Sequence, residues 1–293
     1  MMKNPSTRWP RCGSRIKDLL LIGLLACLGP SIYADGLGEF ARLDAERWRA
    51  FSQSTLMELN EMTGDFEGYA GVVWELYERP TPSLEVAKSQ SEEALLALDP
   101  AVVAELEEFF NGSTGQKILF LLRSTQTQQG RRGMARSDRM VDASLDPERR
   151  QKLDAVNRAM YETQIGMDLA MELLKLPAAV GNQVSAAVGE HIEWAESPQD
   201  IEKWVGGQLA GDLDQDFNFL LNRMPNDELD YLLSFAESAA GSALFEARYY
   251  AALNGAGALV ESMLSRQSPL LQEALAEYAS EEDGEDEDDD PGP

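Results

Sequence analysis

Nucleophilic and metal-binding chemistry is scarce in this sequence. The 293 residues include one histidine, His191, and two cysteines, Cys12 and Cys27. Structural zinc sites take several Cys and His ligands, and catalytic zinc is held by three protein ligands that usually include more than one His. His191, in Gly189-Glu190-His191-Ile192-Glu193-Trp194, has only glutamates beside it and reads as a helix-surface residue. A G-x-S-x-G nucleophile elbow is missing, as are the P-loop and the G-x-G-x-x-G dinucleotide fingerprint. Asp212-Leu213-Asp214-Gln215-Asp216-Phe217 alternates acids but lacks the central Gly and distal Glu of a calcium loop, so it reads as a solvated helix face. Positive charge is also sparse: 25 Lys+Arg against 51 Asp+Glu give a formal charge of −26. That balance opposes binding to nucleic acid, where Lys and Arg must neutralise phosphates, and docking on anionic lipid. No cofactor is expected.

The positive charge that is present opens the chain. Lys3, Arg8, Arg11, Arg15 and Lys17 precede an apolar run, Leu19–Leu28, closed by Pro30 and by Ile32-Tyr33-Ala34. A cationic start, a short apolar segment and a small residue at the cut form a secretory signal peptide, residues 1–34. The run is about half the ~20 residues a membrane-spanning helix needs. Cleavage after Ala34 removes both cysteines, so the exported chain depends on a packed core rather than disulfides. The expected compartment is the periplasm. The alternative is a lipoprotein anchored through Cys27, since Leu24-Leu25-Ala26-Cys27 resembles a lipobox in which Leu25 fits poorly.

The rest reads as helix. Strand-type alternation is absent, and Pro and Gly fall between helix-sized segments. Asp99-Pro100, Asp146-Pro147 and Ser197-Pro198 each pair a capping side chain with Pro at the first helical position, where its missing N–H costs nothing. After Pro100, Val102, Val103, Leu106, Phe109 and Phe110 fall on one helical face; Leu153, Val156, Met160, Met167, Met171 and Leu174 trace another. Phe40–Met62 and Phe66–Tyr77 read as two helices, and Ser83 as the cap of a helix through Leu98. Glu105, Glu107 and Glu108 form a solvated face. Nine of the ten residues 281–290 are acidic, which predicts a disordered tail over 280–293. Arg131, Arg132, Arg136 and Arg139, with Gly130 and Gly133, mark a basic connector that can attract that tail.

Two segments align without gaps 126 residues apart: Leu106–Leu119 lies over Leu232–Phe245, keeping Leu, Phe and Gly in register. Each reads as a tight αα-hairpin. In the first, Ser113 and Gln116 form an S-x-x-Q capping box; in the second, Ser238 is the N-cap. Gly115 and Gly241 fall in the first turn of the new helix, where Gly costs stability. Close approach of the preceding helix, wedged by Phe109 or Phe235, supplies the reason. Leu at position 241 would therefore overpack the hairpin. The expected architecture is all-α, with two related multi-helix units and a disordered tail: a unit over 35–129, a connector over 130–146, a unit over 147–279 and the tail.

Phe109-Phe110-Asn111-Gly112-Ser113-Thr114-Gly115-Gln116-Lys117 resembles the aromatic–small–Gly–Gln–Lys signature of a bacterial family, domain of unknown function 2059. Phe235–Gly241 is a looser copy, without the Gln-Lys after the Gly. The resemblance implies an all-helical exported protein of Gram-negative bacteria and brings no catalytic residue.

Function is expected to be non-catalytic: an envelope interaction or binding module whose partner, an envelope protein or small ligand, is not written in the sequence. Trp48, Trp74, Trp194, Trp204, Tyr249 and Tyr250 are candidate groove residues, and core placement is the plainer expectation for them. Alternatives are a hydrolase of envelope polysaccharide using paired carboxylates, and low-affinity divalent-cation binding through the tail.

Overall fold

The computed structural model describes residues 36–63, 82–127, 146–188 and 198–285. These form helices α1 (Gly36–Thr63), α2 (Pro82–Leu96), α3 (Pro100–Asn111), α4 (Ser113–Gln126), α5 (Pro147–Ala159), α6 (Glu162–Leu173), α7 (Lys175–Val188), α8 (Pro198–Trp204), α9 (Ala210–Leu221), α10 (Asn226–Ala236) and α11 (Ala239–Glu285). A π-helical turn, Val205–Leu209, joins α8 to α9. The described residues contain no strand, and none of their helices is long and apolar enough to cross a membrane. The expected signal segment, residues 130–145 of the expected connector, Phe66–Tyr77, Trp74, His191 and Trp194 lie outside the described residues.

Two of the Pro-marked starts fold for the reasons given; the third cap, Ser197, lies outside the described residues. Asp99 accepts a hydrogen bond from the Ala101 N–H at 2.8 Å, and Asp146 one from the Arg149 N–H at 2.9 Å, each ahead of a proline at the helix start. Ser83 is not a cap: α2 starts at Pro82, which places Ser83 in its first turn, and the helix stops at Leu96. At the other end α11 runs to Glu285, six residues into the segment expected to be disordered; residues 286–293 lie outside the described residues.

The halves do not keep separate cores. One buried cluster joins Leu37, Phe40 and Leu43 of α1 and Leu106, Phe110 and Leu119 of α3–α4 to Leu153 of α5 and Leu232, Leu244 and Phe245 of α10–α11. A second joins Trp48, Leu56 and Leu59 of α1 to Ile165, Leu169 and Leu173 of α6, Val180 and Val184 of α7, and Leu259 and Met263 of α11. Helices α1 and α11 therefore run through both. The long α11 takes α2, α6 and α7 along its length. Burying apolar surface from both halves in the same clusters couples their stabilities, since neither half can open without exposing the other's core side chains.

The two hairpins meet in the first core. Phe109 and Phe235 stack face to face, ring centroids 3.4 Å apart and planes 3° from parallel. Lys117 reaches across to Glu228 at 2.6 Å. Several of their backbone contacts match. Gly112 N–H donates to the Phe109 carbonyl at 3.0 Å, and Ser238 N–H to the Phe235 carbonyl at 2.9 Å. A Cβ on Gly115 would lie 2.3 Å from the Phe109 carbonyl oxygen; on Gly241 it would lie 1.9 Å from that of Phe235. Glycine is thus the only side chain that lets the helices come this close.

The caps differ from expectation in the first hairpin. The S-x-x-Q capping box does not form: Gly112, not Ser113, occupies the N-cap position, and no side chain caps α4. The chain is already turned when it reaches Gly112, so Ser113 is the first helical residue. Gln116 instead sends its Nε2 back to the Phe110 carbonyl at 2.7 Å, satisfying an acceptor at the end of α3. In the second hairpin Ser238 Oγ accepts from the Gly241 N–H at 3.1 Å, an N-cap bond, and Ser242 Oγ takes Gln116's role toward the Ala236 carbonyl at 3.4 Å.

Candidate functional site

Between the two cores the chain buries charge. Along α11, Leu244, Phe245, Arg248 and Ala252 follow helical spacing on the core face, so Arg248 points inward and is 1% exposed. A guanidinium can sit there only if its donors are met. Its Nε donates to Asp44 Oδ2 of α1 at 2.8 Å, its Nη1 to the Met160 carbonyl at 3.0 Å, and its Nη2 pairs with Glu162 Oε1 of α6 at 2.8 Å. Arg47 of α1 pairs with the other Glu162 oxygen at 2.8 Å. Trp48 lies under both cations, 4.9 Å from the Arg47 guanidinium carbon and 5.5 Å from that of Arg248. Burial favours neutral forms, but the opposite charges outweigh it. The Glu162 carboxyl is held below its ordinary range by Arg248 and Arg47, and Arg248 is raised by Asp44 and Glu162.

This network anchors a strained turn. Met160 and Tyr161 join α5 to α6, and Tyr161 sits at φ 56°, ψ 24°, the positive-φ non-glycine residue of the described chain. A left-handed L-residue costs about 1–2 kcal/mol. Three side chains hold it there. Arg248 grips the preceding carbonyl, Met160. Asn157 accepts from the Thr163 N–H at 3.0 Å and donates to Thr163 Oγ1 at 2.9 Å. Asp214 of α9 accepts from Asn157 Nδ2 at 2.7 Å and from the Thr163 hydroxyl. The following residue, Glu162, is itself fixed in the ion network.

Above the turn lies a cleft of about 780 Å³. That volume falls in the range of small-molecule sites. Its walls carry Tyr161, Tyr249 and Tyr250, the acids Asp154, Asp214 and Glu246, and Arg158. Tyr161 and Tyr250 are 40% and 55% exposed. Tyr249 is centred 5.7 Å from Tyr161 and 5.2 Å from Tyr250, nearly perpendicular to the latter. Its hydroxyl donates to Asp168 Oδ2 at 2.7 Å; that bond, with burial, pushes the phenol up to about 12. Tyr249 is thus a fixed, neutral ring across the working range of pH.

No family model matches this chain, and no curated protein or solved structure matches it.

The hairpin residues occupy a different place. Phe109, Phe235 and Ser238 border a second groove, of about 680 Å³, with Glu105, Glu108 and Tyr231 on its walls. Gly115 and Gly241 are buried behind it, while Ser113 and Gln116 are exposed. The motif therefore builds the contact between hairpins and stays away from the tyrosine cleft. Of the aromatic groove candidates, Tyr249 and Tyr250 reach the cleft; Trp48 is buried under the ion network, and Trp204 packs half-buried on the second core. Tyr161, Asn157, Asp44, Glu162 and Arg248 went unnoticed in the sequence. The usable signal was Arg248, a charge set four residues after Leu244 on an apolar stripe. Among the described residues no group of three or more His, Cys, Asp or Glu is placed to hold a metal ion.

Proposed function

We propose that this chain is an exported binding module of the bacterial envelope, with the tyrosine cleft between α5, α6, α9 and α11 as its ligand site. The observation that carries this reading is Tyr161. A turn needing φ near +56° is made at least cost by Gly or Asn. A tyrosine there costs stability, and its ring ends half in water beside two other tyrosines. Strain of this kind persists where its surroundings over-determine it, and it gathers at ligand sites. Export rests on the cationic and apolar residues 1–34, and kinship with the domain of unknown function 2059 family rests on Phe109–Lys117. The matched contacts at Gly115 and Gly241 support descent of the two hairpins from one duplicated unit.

The test pairs stability with binding. Tyr161→Gly and Tyr161→Asn are expected to melt no lower than the parent, because relief of the left-handed strain offsets the lost ring contacts. Both should abolish ligand-induced changes at the amides of Thr163, Tyr249 and Tyr250. The probes are a panel of amines, peptidoglycan fragments and neutral oligosaccharides, read by nitrogen–proton correlation spectra. If no probe moves those amides, the cleft is not the site. The hydrolase alternative enters through Asp154, Asp214 and Glu246, which share this cleft. Release of sugar from an oligosaccharide probe, abolished by Glu246→Gln, would replace binding with catalysis.

A further inference from the structure

Resting on the cleft as the binding site, we infer that its ligand is an extended organic polycation, an alkylammonium chain of the linear polyamine type. Two separate features of the walls ask for this chemistry. The first is aromatic. Three tyrosines line one opening, and Tyr249 is locked by its hydrogen bond to Asp168, so it offers a ring that stays put. Aromatic rings attract organic cations through their π faces, and the hydrocarbon stem of an alkylamine also packs against them. A neutral or anionic ligand gains only the second of these.

The second is the sign of the charge. Asp154 and Glu246 line the cleft exposed, and neither makes an ion pair among the described residues. Among the described residues Asp214 accepts from the neutral donors Asn157 and Thr163 and pairs with no cation. Asp168, behind the cleft, accepts from Tyr249 and Gln164. Arg158 is the cation on the lining. Among the described residues no three of these acids gather where a single metal ion could be held. A compact divalent cation therefore finds no three-carboxylate site here, whereas a chain carrying several ammonium groups can pair with separate carboxylates of the lining. A cleft lined by both carboxylates and tyrosine rings matches a chain of ammonium groups joined by methylenes.

An acidic protein attracts any polycation weakly, so the test separates the rings from the charge. Spermidine is titrated into the full-length exported chain by calorimetry and by nitrogen–proton spectra at physiological salt. Binding at one site is expected, with shifts at Thr163, Tyr249 and Tyr250. Tyr161→Ala and Tyr250→Ala, which leave every charge in place, should each weaken it at least tenfold, and Glu246→Gln should weaken it several-fold. Tyr250 is an exposed helix residue, so its variant reports even if the Tyr161 variant is misfolded. Deleting residues 281–293 should change nothing. A lysine-rich peptide forms the second arm: tighter binding than spermidine would assign the ammonium to a partner's side chain and keep the proposal. Spermidine binding indifferent to both tyrosine variants would mark a general counterion effect and overturn it. If a neutral oligosaccharide or peptidoglycan fragment moves the same amides while spermidine does not, the cation class is wrong and the cleft stands. If no probe moves them, both readings fall together.

Discussion

Adding a single methyl group at Gly241 tests the packing of the hairpins directly. A Cβ built there lies 1.9 Å from the Phe235 carbonyl oxygen and 2.8 Å from its carbon, both backbone atoms that cannot swing aside. Normal van der Waals separation is about 3.5 Å or more, so helix α11 must retreat from the end of α10 by more than an ångström. Retreat pulls Phe235 off Phe109 and loosens the first core; because the clash is with backbone, the cost falls in the upper part of the overpacking range, about 2–3 kcal/mol. Against this, Ala favours helix over Gly by about 1 kcal/mol. The net expectation for Gly241→Ala is a loss of about 1–2 kcal/mol, or ~2–8 °C in melting temperature for a chain of this size. Gly115→Ala meets the same geometry at 2.3 Å and should behave alike. Gly211, on α9, has nothing within 4 Å of its would-be Cβ. There the helix term acts alone, and Gly211→Ala should gain about 0.5–1 kcal/mol. Thermal and urea unfolding followed by far-ultraviolet circular dichroism reads all three. A Gly241→Ala protein as stable as its parent would refute the close approach on which the hairpin interpretation depends.

Other consequences concern the buried charges and the cleft. Arg248→Met leaves Asp44 and Glu162 buried without their partner, and removing one member of such a network costs about 3–5 kcal/mol; a urea midpoint within error of the parent's would contradict the network. Glu162 is held below its ordinary 4.5 in the folded chain, so its contribution is present above the unfolded value and lost as pH falls through the folded one. The stability gap between parent and Glu162→Gln should therefore be wide at pH 7 and narrow below about pH 4, and a gap that does not change with pH would count against it. Tyr249 should titrate near 12 in an ultraviolet titration at 295 nm, and Asp168→Asn should bring it back toward 10. No downward movement in the variant would mean that Asp168 is not the cause.

What the sequence disclosed was local. Asp99-Pro100 and Asp146-Pro147 announce helix starts because capping is settled within three residues, and the stripe Leu106, Phe109, Phe110 announces a buried face because helical period is settled within two turns. Gly115 and Gly241 were legible because glycine early in a helix needs a reason. Ser113 misled because a capping box is a pattern that Gly112 pre-empts by one residue. The ion network was illegible for the opposite reason. Asp44 and Arg248 are 204 residues apart, and no short-range rule pairs them; only the misplaced charge at Arg248 hinted that partners must exist. Tyr161 gave no hint, since its left-handed backbone is imposed by Asn157, Thr163, Asp214 and Arg248 acting together.

Past their matching turns the two hairpins part company. In the 126-residue register, Leu106 and Leu232, Ile118 and Leu244, and Leu119 and Phe245 are buried alike. One turn further along, the pairs diverge. Phe120 is matched by Glu246, Leu122 by Arg248, Arg123 by Tyr249 and Ser124 by Tyr250. Leu122 fills the first core with hydrocarbon, whereas Arg248 in the matching place requires Asp44, Glu162 and the Met160 carbonyl. Burying that guanidinium stabilises less than a leucine would, because desolvation offsets most of the ionic attraction. What it provides instead is a fixed grip on the turn that holds Tyr161. Glu246, Tyr249 and Tyr250 then emerge on the same side, onto the cleft that Tyr161 borders. In the second hairpin the backbone contact that glycine permits is present while apolar packing is absent at the positions that line the cleft, which supports the proposal that the cleft is a ligand site.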